Sequence, residues 1–260
     1  MSPYNFNYVA LFVSACVWIQ CACTSQSSLS NMSFVHPEAE AQRDVTVIHD
    51  YHGTEKLKKI VIFGSTGMTG LCAIEAALKK GLQVRAFVRD PVKIPDHLKD
   101  KVEAFQGNVL EPDTVANAVE GTDGVVVTLG TRESLAPTTD LSVGLKNILD
   151  AMKAKNVKTV TVCLSAFLFY EPKDVPEQYG PVTDEHRRMY EELKENPLNW
   201  VAVFSPQILT EPSREMTVVV NPQKSPNGTI TKWDLGTFMI DALFEPKYYK
   251  AVIGLINVPK

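Results

Sequence analysis

A chain of 260 residues, 45% hydrophobic and 22% charged, has the composition of an ordinary soluble globular protein and is long enough to bury one large α/β core. Its net charge of −4 arises before residue 56, where five acids (Glu38, Glu40, Asp44, Asp50, Glu55) face one base (Arg43), leaving 25 of each sign beyond. That balance argues against nucleic acid as the partner, which would favour a basic face.

In chain order the first feature is an uncharged apolar run, Tyr8 to Cys23. Its length suits the apolar region of a signal peptide and is marginal for a membrane span. No Lys or Arg precedes it, and Cys21-Ala22-Cys23 is a weak match to a cleavage site. Residues 24–55 are polar, rich in turn formers and without sustained period, which reads as linker. Asn31-Met32-Ser33 fits a glycosylation acceptor, and Met32 is an in-frame alternative start. Two readings stand: a targeting segment, giving a secreted or membrane-anchored protein, and a dispensable leader before a cytoplasmic one. Cys16, Cys21 and Cys23 belong to this segment. The other two, Cys72 and Cys163, lie far apart in the core, with spacing for neither a metal site nor a disulfide framework, so a reducing compartment is the simpler expectation. The division is therefore 1–55, leader and linker, and 56–260, one domain.

From Lys56 the chain alternates strand and helix. Strands are expected at Ile60–Phe63, Val84–Val88, Val102–Gln106, Gly124–Thr128, Thr159–Leu164 and Trp200–Phe204, each rich in Val, Ile or Phe, as strands buried on both faces should be. Helices are expected at Leu71–Lys80, Pro112–Val119, Leu141–Lys155, Asp184–Glu195 and Lys232–Leu243, the last capped near Thr229 or Thr231. The fold class is α/β: a single Rossmann-like, doubly wound parallel sheet with helices on both faces. Long connections at Leu129–Asp140, Ala166–Thr183 and Pro206–Gly228 follow strands, at the edge where open α/β sheets bind ligands.

Residues 59–70 read Lys-Ile-Val-Ile-Phe-Gly-Ser-Thr-Gly-Met-Thr-Gly. An apolar strand runs into glycines spaced G-x-x-G-x-x-G and then into a helix, which builds a phosphate cradle for a dinucleotide. Amides around Thr66–Thr69 would face the diphosphate. The second strand ends in Val88-Arg89-Asp90, with Lys93 beyond. A base at that position accommodates a ribose 2′-phosphate, so NADPH is expected over NADH. Asp90 could turn outward or pair with Arg89. Asn108 and Val109 follow the third strand, where adenine should lie. Leu129, Gly130, Thr131 and Arg132 follow the fourth, beside the nicotinamide ribose, and Gly130 would permit close backbone approach.

Several longer stretches resemble the biliverdin reductase B family of NADPH-dependent flavin reductases, in the atypical short-chain dehydrogenase/reductase group. They are Gly64–Gly70, Val88–Asp90, Leu129–Arg132 with Pro137–Thr139, Ser165–Leu168 and Val182–His186, in the family's order, over about Lys56 to Leu243. The resemblance implies a monomeric Rossmann enzyme moving hydride from NADPH to a small planar acceptor, a flavin (FMN, FAD, riboflavin) or a linear tetrapyrrole. It implies cofactor contacts at Gly64, Thr66, Gly67, Met68, Thr69, Arg89, Lys93, Asn108, Val109, Leu129, Gly130, Cys163, His186, Gln207 and Ile208, and substrate contacts at Ser165 and Phe167. The chain departs from the family at Gln207, where the family has histidine; glutamine can hydrogen-bond but cannot titrate near neutrality.

The catalytic candidates are Ser165, His186 and Cys163. Tyr190-Glu-Glu-Leu-Lys194 has the Tyr-x-x-x-Lys pattern of many short-chain dehydrogenases but lies 25 residues after Ser165. The family resemblance implies that His186 takes the lysine-like place one turn earlier, and Tyr190 is read as a chance match. Phe167, Phe169 and Tyr170 offer flat apolar surface. Few acid–base groups are present, which suits an acceptor that is already an electron sink. A second class stays open, a non-catalytic NADP-binding redox sensor of the NmrA-like type.

Overall fold

In the first strand, β1 (Lys59–Phe63), Ile60 and Ile62 point to one face and Val61 and Phe63 to the other, and all four are buried. A strand buried on both sides must lie inside a sheet with helices above and below. The computed structural model, which describes residues 57–258, shows such a sheet; the apolar leader, its cysteines, Asn31 and Met32 lie outside the described residues.

The next strands are β2 (Gln83–Val88), β3 (Glu103–Gln106), β4 (Gly124–Val127), β5 (Thr159–Ser165) and β6 (Asn199–Ser205). The helices are α1 (Met68–Lys79), α2 (Asp96–Lys99), α3 (Pro112–Val119), α4 (Asp140–Ala154), α5 (Gly180–Lys194) and α6 (Lys232–Asp241). With β7 (Gln207–Leu209), β8 (Met216–Val220), β9 (Thr229–Thr231) and β10 (Ala251–Asn257), the main sheet runs β3-β2-β1-β4-β5-β6-β10-β8, and β7 pairs with β9 apart from it. The order reverses between β1 and β4, the doubly wound arrangement with its crevice at that switch. One face packs on α1 and α6, the other on α3, α4 and α5.

A buried arginine and a close glycine contact fix two of the helices. Arg85, on β2, sends Nη1 to the carbonyls of Ala118 and Glu120, both at 2.7 Å, closing the C-terminal end of α3. Its Nε donates to Glu103 at 3.0 Å. Helix α6 lies so close to α1 that a Cβ on Gly236 would stand 2.7 Å from the Ala73 nitrogen.

Four expectations need correction. The edge strand β3 is mostly exposed, since only β2 flanks it. The sheet is not wholly parallel: β8, drawn from the proline-rich stretch after β6, pairs antiparallel with β10. Its flanking Pro212 and Pro222 lie outside the strand, and an edge strand tolerates such neighbours. Nor does the strand–helix reading include β10, which runs parallel to β6. Finally, α1 and α5 begin earlier than their apolar period shows, at Met68 and Gly180; Pro181 sits in the first turn of α5, where its missing amide costs nothing.

Candidate functional site

Strands β1, β2, β3, β4, β5 and β6 are parallel, so the segments that follow them share one edge of the sheet. That brings together Gly64–Thr69, Arg89, Asn108–Val109, Leu129–Arg132, Ser165–Phe167 and Gln207–Ile208. Cys163 lies inside β5, two residues short of the edge.

The turn after β1 is sterically defined. Gly64 has φ +82°, and a Cβ there would lie 2.4 Å from the Thr128 carbonyl oxygen. The Gly67 amide donates to the Gly64 carbonyl at 2.9 Å. Gly70 belongs to α1 rather than to the turn, and its Cβ would stand 2.3 Å from that same carbonyl. Two residues that the motif did not single out hold the turn. Ser65 Oγ donates to the Phe87 carbonyl at 2.8 Å, and Thr128 Oγ1 to that of Phe63 at 3.1 Å. Nothing in the glycine spacing marks them, since their partners come from other strands.

Helix α1 has Gly67 at its N-cap, no side-chain cap and no acid in its first turn. Its leading amides have no intrahelical acceptors, so they are open to an anion. By contrast Thr231 caps α6, accepting from the Asp234 amide at 3.2 Å. The cradle therefore fits a dinucleotide diphosphate, with Thr66, Gly67, Met68 and Thr69 supplying the backbone.

At the end of β2, Asp90 turns away from Arg89 to cap its own short turn, Oδ1 accepting from the Val92 amide at 3.1 Å. Arg89 and Lys93 are exposed, and among the described residues neither has an ion-pair partner. Two free cations beside the cradle suit a 2′-phosphate. Asn108 Oδ1 accepts from the Leu110 amide at 3.1 Å, and Asn147 Nδ2 donates to the Val109 carbonyl at 2.8 Å, fixing the loop after β3. Leu129 packs into the core, Gly130 has open space where a Cβ would be, and exposed Arg132 adopts φ +59°.

Ser165 Oγ accepts from the Phe167 amide at 3.2 Å, capping the turn Ala166–Phe169 and keeping its own proton available to donate. Burial pushes the Cys163 thiol up to about 12, so it is a neutral thiol at ordinary pH. Gln207 is exposed and Ile208 half-buried on β7.

Glu185, Tyr190 and Lys194, three acid–base groups of α5, are committed elsewhere. Glu185 is fully buried; it accepts from the Ser142 amide at 2.7 Å, inside the first turn of α4, and from Arg188 Nη2 at 2.6 Å. It therefore docks α5 on α4. Tyr190 packs edge-on against Phe204 and Trp200, and burial raises its phenol. Lys194 pairs with Glu191. The Tyr-x-x-x-Lys spacing here describes a core tyrosine and a surface ion pair. His186 Nδ1 is shut off from solvent without a partner, and burial lowers the imidazole to about 4, although Glu185 pulls the other way.

A neutral buried histidine has a measurable consequence. The unfolded chain takes up its proton at about 6.5, whereas the folded chain refuses it until about 4. Stability from this group is complete above the first value and falls as pH drops toward the second, by about 2 kcal/mol near pH ~5. Urea unfolding at neutral pH and near pH ~5 should show wild type losing about 2 kcal/mol more than His186→Gln. Equal losses would mean that the folded protein protonates the imidazole freely.

Among the described residues no helix is long and apolar enough to cross a membrane, and no cluster of His, Cys, Asp or Glu could hold a metal ion.

Comparison with known proteins agrees with the cradle. The profile of a family described as NAD(P)H-binding matches residues 64–246. A curated relative, 3 beta-hydroxysteroid dehydrogenase/Delta 5-->4-isomerase of Mycobacterium tuberculosis, is 27% identical over 154 residues, covering 54% of this chain. The chain spans only 41% of that relative's length. Among solved structures, a Rossmann-fold NAD(P)-binding protein from Shigella flexneri superposes with TM-score 0.63 at 21% identity, covering 79% of this chain and 98% of that one. ChuY, an anaerobillin reductase from Escherichia coli O157:H7, superposes with TM-score 0.67 at 16% identity, covering 78% and 100%. These likenesses establish the fold.

Proposed function

The chain belongs to the NAD(P)H-binding family and takes NAD(P)H as its cofactor, and from that premise we propose that it is an oxidoreductase of the biliverdin reductase B type. In this reading it uses NADPH to reduce flavins (FMN, FAD, riboflavin) and biliverdin-like tetrapyrroles.

One observation supports the reading above the rest: the anion cradle shares its sheet edge with the aromatic turn after β5, and the candidate acid–base groups there are not free to act. Tyr190 is in the core, Glu185 bridges two helices, and His186 and Cys163 are neutral. Reduction of an isolated carbonyl needs a proton donor at its oxygen. A conjugated planar acceptor delocalises the incoming electron pair and takes its proton from water, so the protein's task is placement.

When bound, NADPH supplies the hydride. The Gly64–Thr69 turn would hold its diphosphate, with amides around Thr66–Thr69 facing it, Arg89 and Lys93 its 2′-phosphate, and Asn108 and Val109 its adenine. Leu129, Gly130, Arg132, Cys163, His186, Gln207 and Ile208 would border the nicotinamide half. Buried, neutral His186 can hydrogen-bond there but does not titrate near neutrality. Ser165, with its free hydroxyl proton, would orient the acceptor, and Phe167 would face it. The solved anaerobillin reductase supports reductase chemistry on this scaffold. The test is NADPH oxidation with FMN: turnover supports the reading, and tight NADP binding without turnover of any planar acceptor overturns it.

A further inference from the structure

The connection from β5 to α5 leaves the sheet at Ala166 and re-enters a helix at Gly180. One ring stands at each end, Phe167 on the outgoing turn and Tyr179 as the last residue before α5. They meet: their centroids are 5.2 Å apart and their planes within 27°. Tyr170 closes the edge of Phe167, at 6.0 Å and 64°.

Both rings sit on backbone that is already tied down. The Phe167 amide donates to Ser165 Oγ at 3.2 Å, and the Tyr170 amide to the Phe167 carbonyl at 3.0 Å. The Tyr179 amide donates to the Pro176 carbonyl at 2.8 Å, and buried Val175 anchors the middle of the connection. Phe167 and Tyr179 are half-buried, so part of each ring remains open.

We infer that Tyr179 is a positioning residue that sets the acceptor's shape: stacked on Phe167, it holds that ring as a fixed aromatic wall suited to flat, ring-fused acceptors. This rests on the planar-acceptor reading above. A lone half-exposed phenylalanine rotates among rotamers, and a ligand stacking on it must first stop that motion. With Tyr179 against one face the rotation is restrained before the ligand arrives. The remaining face accepts an aromatic plane by offset stacking, whereas a puckered alicyclic ring meets the same wall with fewer atoms. The phenol oxygen plays no part, so the ring alone should suffice.

The test uses the full chain and FMN, with Tyr179→Leu and Tyr179→Phe. FMN fluorescence is titrated with NADP-loaded protein, KM and kcat are measured under NADPH, and NADPH affinity is measured separately. Tyr179→Leu should raise both the Kd and the KM for FMN about three- to tenfold, the worth of one aromatic pair. It should leave NADPH affinity unchanged, and Tyr179→Phe should match wild type. An unchanged FMN Kd in Tyr179→Leu, or equal weakening of NADPH, would overturn the inference while the reductase reading stood. Wild type that neither binds nor reduces FMN would overturn both.

Discussion

Gly64→Ala should cost about 2–4 kcal/mol of stability and remove measurable NADPH binding. Two effects add. The residue sits at φ +82°, a left-handed conformation that a Cβ disfavours. The new Cβ would also stand 2.4 Å from the Thr128 oxygen, a backbone atom held by β4 that cannot rotate away. Relieving the clash means parting β1 from β4 at the ligand edge, where the first amides of α1 are aimed. Urea unfolding and NADPH fluorescence titration measure the two losses. Gly130→Ala is the matched control: a Cβ there meets nothing within 4 Å. It should leave stability unchanged, and any loss of affinity would report close approach of the cofactor. Wild-type stability and binding in Gly64→Ala would show that the turn is not built as described.

Arg89→Ala should weaken NADPH binding by roughly ten- to a hundredfold, the worth of hydrogen bonds to a charged group, and change NADH affinity less than about twofold. The residue is exposed and Asp90 is occupied with the Val92 amide, so the guanidinium is not committed to an internal pair. Removing it should cost the fold almost nothing. The 2′-phosphate is the one group that separates the two cofactors, so the ratio of affinities isolates this contact from general damage to the cradle. Equal weakening of both would place Arg89 elsewhere on the dinucleotide.

Much of this was legible in the sequence where local rules are strong. The Val- and Ile-rich strands, the glycine turn and the basic end of β2 each follow from residues within one short window. What escaped depends on partners far along the chain. Ser65 reads as a turn residue and Thr128 as a strand end until β2 and β1 supply their acceptors. Glu185 reads as one more helix acid, yet it is fully buried because α4 offers an amide and Arg188 a guanidinium. Asp234 is similar. Burial works to raise its carboxyl, but hydrogen bonds from Ser213, Thr231, the Arg214 amide and Asn257 outweigh this and hold it low. The same group ties the stretch after β7 to β10. The Phe167–Tyr179 pair joins two turns of one connection and has no periodic signature at all.

The proposed hydride delivery to a planar acceptor rests on the cradle, the two free cations and the commitment of Tyr190 and Glu185 elsewhere. The most direct measurement is the fall in NADPH absorbance when FMN is added to the full chain, with NADH in parallel. The account predicts FMN-dependent oxidation of NADPH, with NADH a far poorer donor. Firm NADP binding with no oxidation across flavins and tetrapyrroles would contradict it.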